Sequence, residues 1–92
     1  MSFLVQATGR RKRAVARVRL FPGDGVVVIN GKTDAEYFPL AAVRNGAMAP
    51  FAVAEATGMY DVHASIHGGG VAGQAGALRL GIARGLVELD PE

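Results

Sequence analysis

Residues 59–89 read MYDVHASIHGGGVAGQAGALRLGIARGLVEL, and the fold turns on how this stretch divides. Its first nine residues alternate. Tyr60, Val62, Ala64 and Ile66 fall on one side, and Asp61, His63, Ser65 and His67 on the other. That is the period-two pattern of a half-buried strand. Gly68-Gly69-Gly70 breaks the pattern. From there Val71, Ala75, Leu78, Ile82, Leu86 and Leu89 recur at helical spacing and define one apolar stripe. A strand, a glycine break and a long helix in direct succession predict an α/β (α+β) chain. Gly73, Gly76, Gly81 and Gly85 each weaken that helix by roughly 1 kcal/mol against Ala. Four of them in one helix imply close approach to another backbone, of protein or of ligand.

Upstream, Arg13–Phe21 alternates as cleanly. Ala14, Ala16, Val18 and Leu20 share one face; Arg13, Val15, Arg17 and Arg19 share the other. Phe3–Thr8 reads as a preceding strand, and Gly9 opens a basic turn, GRRKR, over 9–13. Pro22-Gly23-Asp24-Gly25 is a turn, Val26–Ile29 a third strand, and Asn30-Gly31 its punctuation. Short turns between these three strands predict an antiparallel meander. Thr33-x-x-Glu36 is a capping box for a short helix through Phe38. Pro39 suits a first helical position, Leu40–Ala49 can be helical, and Pro50 is expected to restart the helix, with Gly58 as its stop. The middle of the chain is rich in Ala and Val and poor in charge, which predicts packing.

Ninety-two residues make one domain, 1–92. There is no cysteine, which excludes a disulfide scaffold, a thiolate metal site and a cysteine nucleophile. That absence fits a reducing cytoplasm. No apolar run approaches the ~18 residues of a membrane span, and Met1–Ala7 is too short and uncharged for a signal peptide. The net charge of +2 conceals an asymmetry. Residues 1–22 hold Arg10, Arg11, Lys12, Arg13, Arg17 and Arg19 and no acid; residues 23–92 hold four bases and eight acids. The two parts therefore carry +6 and −4. A basic block without local neutralisation is a patch for a polyanion. Arginine outnumbers lysine eight to two, which favours phosphate, since the guanidinium binds it bidentately.

Gly68-x-Gly70-x-x-Gly73 matches a dinucleotide fingerprint, and Asp90 lies about 20 residues on. The context is wrong: the preceding strands read as a meander, and the acid ends a helix with no strand after it. No cofactor is expected. Glycine-rich backbone at a helix start is still a phosphate site in its own right. Asp61, His63 and Ser65 share a strand face, but neighbours on that face are ~6.6 Å apart, too far for a triad. His63 and His67, ~13 Å apart, are too far to share a metal. No catalytic or metal site is predicted; the two histidines read as exposed polar positions or, for His67, as a neighbour of the phosphate site. Phe3, Phe21, Tyr37, Phe38, Phe51 and Tyr60 are scattered and mostly at core-like positions. Base stacking is therefore not the expected mode of binding; charge and backbone shape are.

Several segments carry a family resemblance. They are Thr8-Gly9-Arg10-Arg11-Lys12, Ala16-Arg17-Val18, Ile29-Asn30-Gly31, Tyr37-Phe38, Gly68-Gly69-Gly70-Val71-Ala72-Gly73-Gln74-Ala75-Gly76-Ala77-Leu78-Arg79 and Gly81-Ile82-Ala83-Arg84. In this order, over essentially the whole chain, they resemble bacterial small-subunit ribosomal protein nine. The resemblance implies a non-enzymatic structural protein of the cytoplasmic ribosome. It would bind small-subunit ribosomal RNA in the head, beside neighbouring ribosomal proteins of the head. It implies a two-layer fold of the ribosomal-protein-five domain-2-like type. That fold is a four-stranded mixed sheet on helices, with a left-handed βαβ crossover against the general right-handed rule. It carries RNA contacts to Arg10, Arg11 and Lys12, and to the glycine segment Gly68, Gly69 and Gly70 with Gln74 and Arg79. The charge pattern adds Arg13, Arg17 and Arg19. Arg13 departs from the small polar residue common in the family, and His67 stands where Lys is common. Family members continue into a Lys/Arg-rich tail that reaches transfer RNA in the peptidyl site. The sequence as it stands carries no such tail, so transfer RNA contact is expected only with it. Two rivals remain. One is a tail-less or engineered core serving as a protein-interaction module without specific RNA binding. The other is a small-molecule phosphate enzyme of the same fold group, which would need a second domain to enclose its nucleotide.

Overall fold

Alternation along two long strands organises the molecule, seen here in a computed structural model that describes residues 2–90. β1 (Val5–Arg11) turns at Lys12-Arg13 and returns as β2 (Ala14–Pro22). The two pair antiparallel from Val5 opposite Leu20 to Arg11 opposite Ala14. The strand expected over Phe3–Thr8 thus starts later and runs three residues further. Most of the basic segment is strand, and only Lys12 and Arg13 form the turn, with Lys12 at φ 55°. Next come β3 (Val27–Ile29), β4 (Lys32–Thr33), α1 (Asp34–Tyr37), α2 (Ala41–Val53), β5 (Tyr60–His67) and α3 (Val71–Leu89).

The sheet order is β1-β2-β5-β3-β4, which corrects two expectations. There is no three-stranded meander, because β5 lies between β2 and β3. It is antiparallel to β2 and parallel to β3. The loop after Pro22 is no tight hairpin; it crosses two strand spacings, ~9.5 Å. Asp61 of β5 anchors that loop by accepting the backbone N–H groups of Asp24, Gly25 and Val26. The apolar face of β5 (Val62, Ala64, Ile66) also needs a central place under the helices, which a three-residue β3 could not supply. The sheet has five strands rather than four, since Asn30-Gly31 is a hairpin turn to β4. Both residues have positive φ, 50° and 80°, as a type I′ Asn-Gly turn requires.

The capping box is present: Thr33 Oγ1 accepts from Glu36 N–H at 3.2 Å, and Glu36 Oε1 accepts from Thr33 N–H at 3.0 Å. Pro50, expected to break α2, sits inside it. It opens the last turn and forfeits a single hydrogen bond. Ala47 and Phe51, both buried, hold the helix on either side of it. α2 ends before Gly58, in a Schellman arrangement. Ala56 N–H reaches Phe51 O at 2.7 Å, Glu55 N–H reaches Ala52 O at 3.1 Å, and Glu55 takes the left-handed conformation at φ 55°.

The core lies between one sheet face and the helices. Val18, Leu20, Ile29, Val62, Ile66, Leu78 and Ile82 are its largest fully buried side chains. The alternations read from β2 and β5 hold. On α3 the buried stripe is Gly73, Ala77, Leu78, Gly81, Ile82, Gly85 and Leu86. Val71, expected in the stripe, is exposed, because the helix rests on its glycines. A Cβ at Gly9 would lie 2.0 Å from Ala77 O and 2.3 Å from Gly81 N; one at Gly81 would lie 2.7 Å from Val18 Cγ2. The close approach foreseen for these glycines is therefore to the protein's own hairpin, with α3 against β1 and β2.

Candidate nucleic-acid interface

What alternation buries on one sheet face it displays on the other. Register aligns Gln6, Arg19 and His63 in one row across β1, β2 and β5. Thr8, Arg17 and Ser65 form the next, and Arg10, Val15 and His67 the third. Arg10, Arg17, Arg19, His63 and His67 are all exposed. The one acid on these three strands is Asp61. Its Oδ1 accepts N–H groups from Asp24, Gly25 and Val26 at 3.0, 3.1 and 2.9 Å. These bonds, led by that from Val26, hold the carboxyl below the ordinary aspartate value. Asp61 is thus a fastener for the loop. Ser65 Oγ lies 3.0 Å from His67 Nε2 and makes no triad with His63 and Asp61. Among the described residues no cluster of three metal-ligating side chains occurs.

The basic segment divides. Arg10 projects from the open face, opposite Val15. Arg11 lies opposite core-facing Ala14, and its side chain crosses α3 at Gly76, where a Cβ would meet Arg11 Cδ at 2.3 Å. Lys12 and Arg13 occupy the exposed turn. Against this turn sits the glycine segment. Gly68 and Gly69 have φ of 82° and 69°, a left-handed backbone that favours glycine. A Cβ at Gly68 would lie 2.4 Å from Arg13 O. Gly70 is the N-cap of α3, with no side-chain cap and open space around it. The bases of the turn and the free amides of the helix start are therefore neighbours.

Gln74 sits behind this segment. Its Nε2 donates to Gly68 O at 3.1 Å, and its Oε1 accepts from the Tyr37 hydroxyl at 2.7 Å. Asn30 Nδ2 donates to that hydroxyl at 3.3 Å and to Ile66 O at 2.9 Å, while Asn30 Oδ1 accepts from Ile66 N–H at 2.9 Å. Three separately recognised motif pieces thus form one chain that ties the glycine segment to β3 and α1. Arg79 is not brought to the turn. It lies ~13 Å along α3 from Gly70 and lines a groove between α2 and α3.

One cluster escaped the sequence reading. Phe3 and Phe21 meet edge to face, centroids 6.5 Å apart, and Phe21 and His63 lie 4.6 Å apart. The Arg19 guanidinium sits 5.1 Å over the Phe3 ring and donates through Nε to Gln6 Oε1 at 3.1 Å. The signal was positional: 19, 21 and 63 fall on the same side of adjacent strands.

Fold and surface together define a small two-layer α/β protein with one helix-covered sheet face and one cationic open face. Residues 9–92 match the family described as "Ribosomal protein S9/S16", and the chain belongs to that family. It is similar to the small ribosomal subunit protein uS9 of Cutibacterium acnes (strain DSM 16379 / KPA171202), with 59% identity over 86 residues. That alignment covers 94% of this chain and 50% of the relative, so the chain spans about half of that protein's length. The two-layer mixed sheet on helices is consistent with the ribosomal-protein-five domain-2-like fold.

Proposed function

We propose that this chain is a structural, non-enzymatic part of the small ribosomal subunit, located in the cytoplasmic ribosome, and that it binds small-subunit ribosomal RNA of the head beside neighbouring ribosomal proteins. One observation carries the reading. Arg10, Arg17 and Arg19 stand on one open sheet face with His63 and His67, and the only acid of those strands is engaged by three backbone amides. Membership of the family supports it.

The chemistry follows from the layout. Guanidinium groups displayed on a sheet bind phosphate oxygens bidentately, and that of Arg19 is already oriented by its bond to Gln6. Lys12 and Arg13 extend the cationic surface around the sheet edge to Gly68–Gly70. There the uncapped amides of α3 take a further backbone phosphate. Gln74 contributes by holding Gly68 in place, and Arg11 by spanning from the end of β1 to α3.

A salt titration tests this reading. Neutralising about six phosphates makes affinity fall ~10³-fold between 50 and 200 mM salt. Binding is measured to head-domain ribosomal RNA and to an unrelated duplex of equal length. A steep slope with preference for the head RNA is the expected result. A flat salt response would overturn it.

A further inference from the structure

By register Phe21 belongs to the open sheet face, opposite Asp61, and yet it is only 9% exposed. Two rings cover it: Phe3 from the β1 side and His63 from β5. Phe3 itself remains 42% exposed. A cap over the sheet corner would need no more than these three rings. The corner holds more. Arg19, fixed by Gln6, lies over the Phe3 ring, and Arg17 continues the cationic row ~6.6 Å away along the same strand. Aromatic surface flanked by one ordered guanidinium, with a second exposed arginine beside it, is the composition of a stacking site for nucleic acid, in which the ring meets a base and the cations meet its phosphates. Every base has a π-face, but a duplex keeps those faces inside its stack. The charge of the surrounding face selects an anionic occupant, which an apolar peptide is not.

We propose that Phe3, supported by Phe21 and His63 and flanked by Arg19, stacks on one unpaired nucleobase of the RNA held by the cationic face. This rests on the RNA-binding reading above and adds the class of RNA element that the corner takes.

The chain contains no tryptophan, so Phe3→Trp places a single fluorophore at the site. It is titrated with an RNA hairpin whose loop is unpaired and with a blunt RNA duplex of equal charge. Stacking predicts quenching of the emission at saturation by the hairpin and little change with the duplex. Phe3→Leu, in the same 92-residue chain, is expected to lose about tenfold in affinity for the hairpin and nothing for the duplex. Its salt slope stays unchanged, because no phosphate contact is removed. Equal losses on both RNAs, or saturable binding with no hairpin-specific quenching, overturn the stacking proposal and leave the cationic face standing. Absence of salt-dependent binding to either RNA overturns both. Should Phe3→Leu fail to fold, judged by circular dichroism, the folded Phe3→Trp protein still decides the matter.

Discussion

The two faces of the sheet are made by the same three long strands, residue and next residue, and they obey different rules. Under the helices the requirement is fit. Gly9 and Gly81 meet at a separation that no side chain could enter, and Val18, Leu20, Val62 and Ile66 fill the space around them. On the open side the requirement is sign of charge. Arg10, Arg17 and Arg19 are exposed on the side turned away from the layer beneath. A change on the first face costs stability and reaches function only through unfolding. A change on the second leaves the fold alone and alters affinity directly.

The largest break in this contrast is expected at Gly9→Ala. Its Cβ would strike backbone atoms of α3, which cannot swing aside, so a loss of about 3–5 kcal/mol in urea denaturation is expected. The opposite case is Arg10→Ala with Arg17→Ala. Stability stays within about 0.5 kcal/mol, while RNA affinity falls roughly tenfold per arginine. The slope of log affinity against log salt shrinks by about two in the same titration. Tyr37→Phe probes the seam between the faces. Removing the hydroxyl unpairs Gln74 Oε1 and loosens Gly68, which costs about 1–2 kcal/mol in urea. Its RNA affinity falls with no change of salt slope, the sign of lost positioning.

Acid sharpens the comparison at Asp61. Its carboxyl is lowered by the loop amides, so their contribution is complete above the ordinary value of 3.8 and is lost as pH falls through the lower folded value. Asp61→Asn should flatten that part of the acid limb in a pH series of thermal unfolding curves. The smallest effect is a gain. Glu55→Gly relieves a left-handed residue at the end of α2 and should stabilise by about 0.5 kcal/mol, read as a raised Tm.

Local rules were enough for much of this. The alternations of β2 and β5, the capping box at Thr33 and the glycine contacts of α3 can be read residue by residue, because period and cap chemistry are properties of neighbours. Strand order is not. Nothing near Val27 says that its partner is Val62 rather than a residue of β2, and the short loop at 22–25 pointed to the wrong one. Asn30-Gly31 did carry the signal for β4, though two residues of strand leave no periodicity to confirm it. Treating GRRKR as a turn hid the fact that β1 continues through Arg11, which sends Arg10 and Arg11 to opposite faces. Asn30, Tyr37 and Gln74 were legible as motif pieces, but their shared hydrogen bonds exist only after three elements meet. The Phe3 corner was missed for the same reason, since its rings come from three separate strands or their flanks.

The central position of β5 governs the order of events in folding. The β1–β2 hairpin and the β3–β4 hairpin are each local and can close within microseconds. Neither can bind the other, because the strand that joins them is encoded after both. Its pairs with β2 run from Pro22–Tyr60 to Val15–His67, so a loop of about 40 residues must close before any gain from them. On a chain emerging from its amino end, two hairpins therefore wait with open edges until residue 67 has appeared, and α3 arrives last to cover the seam.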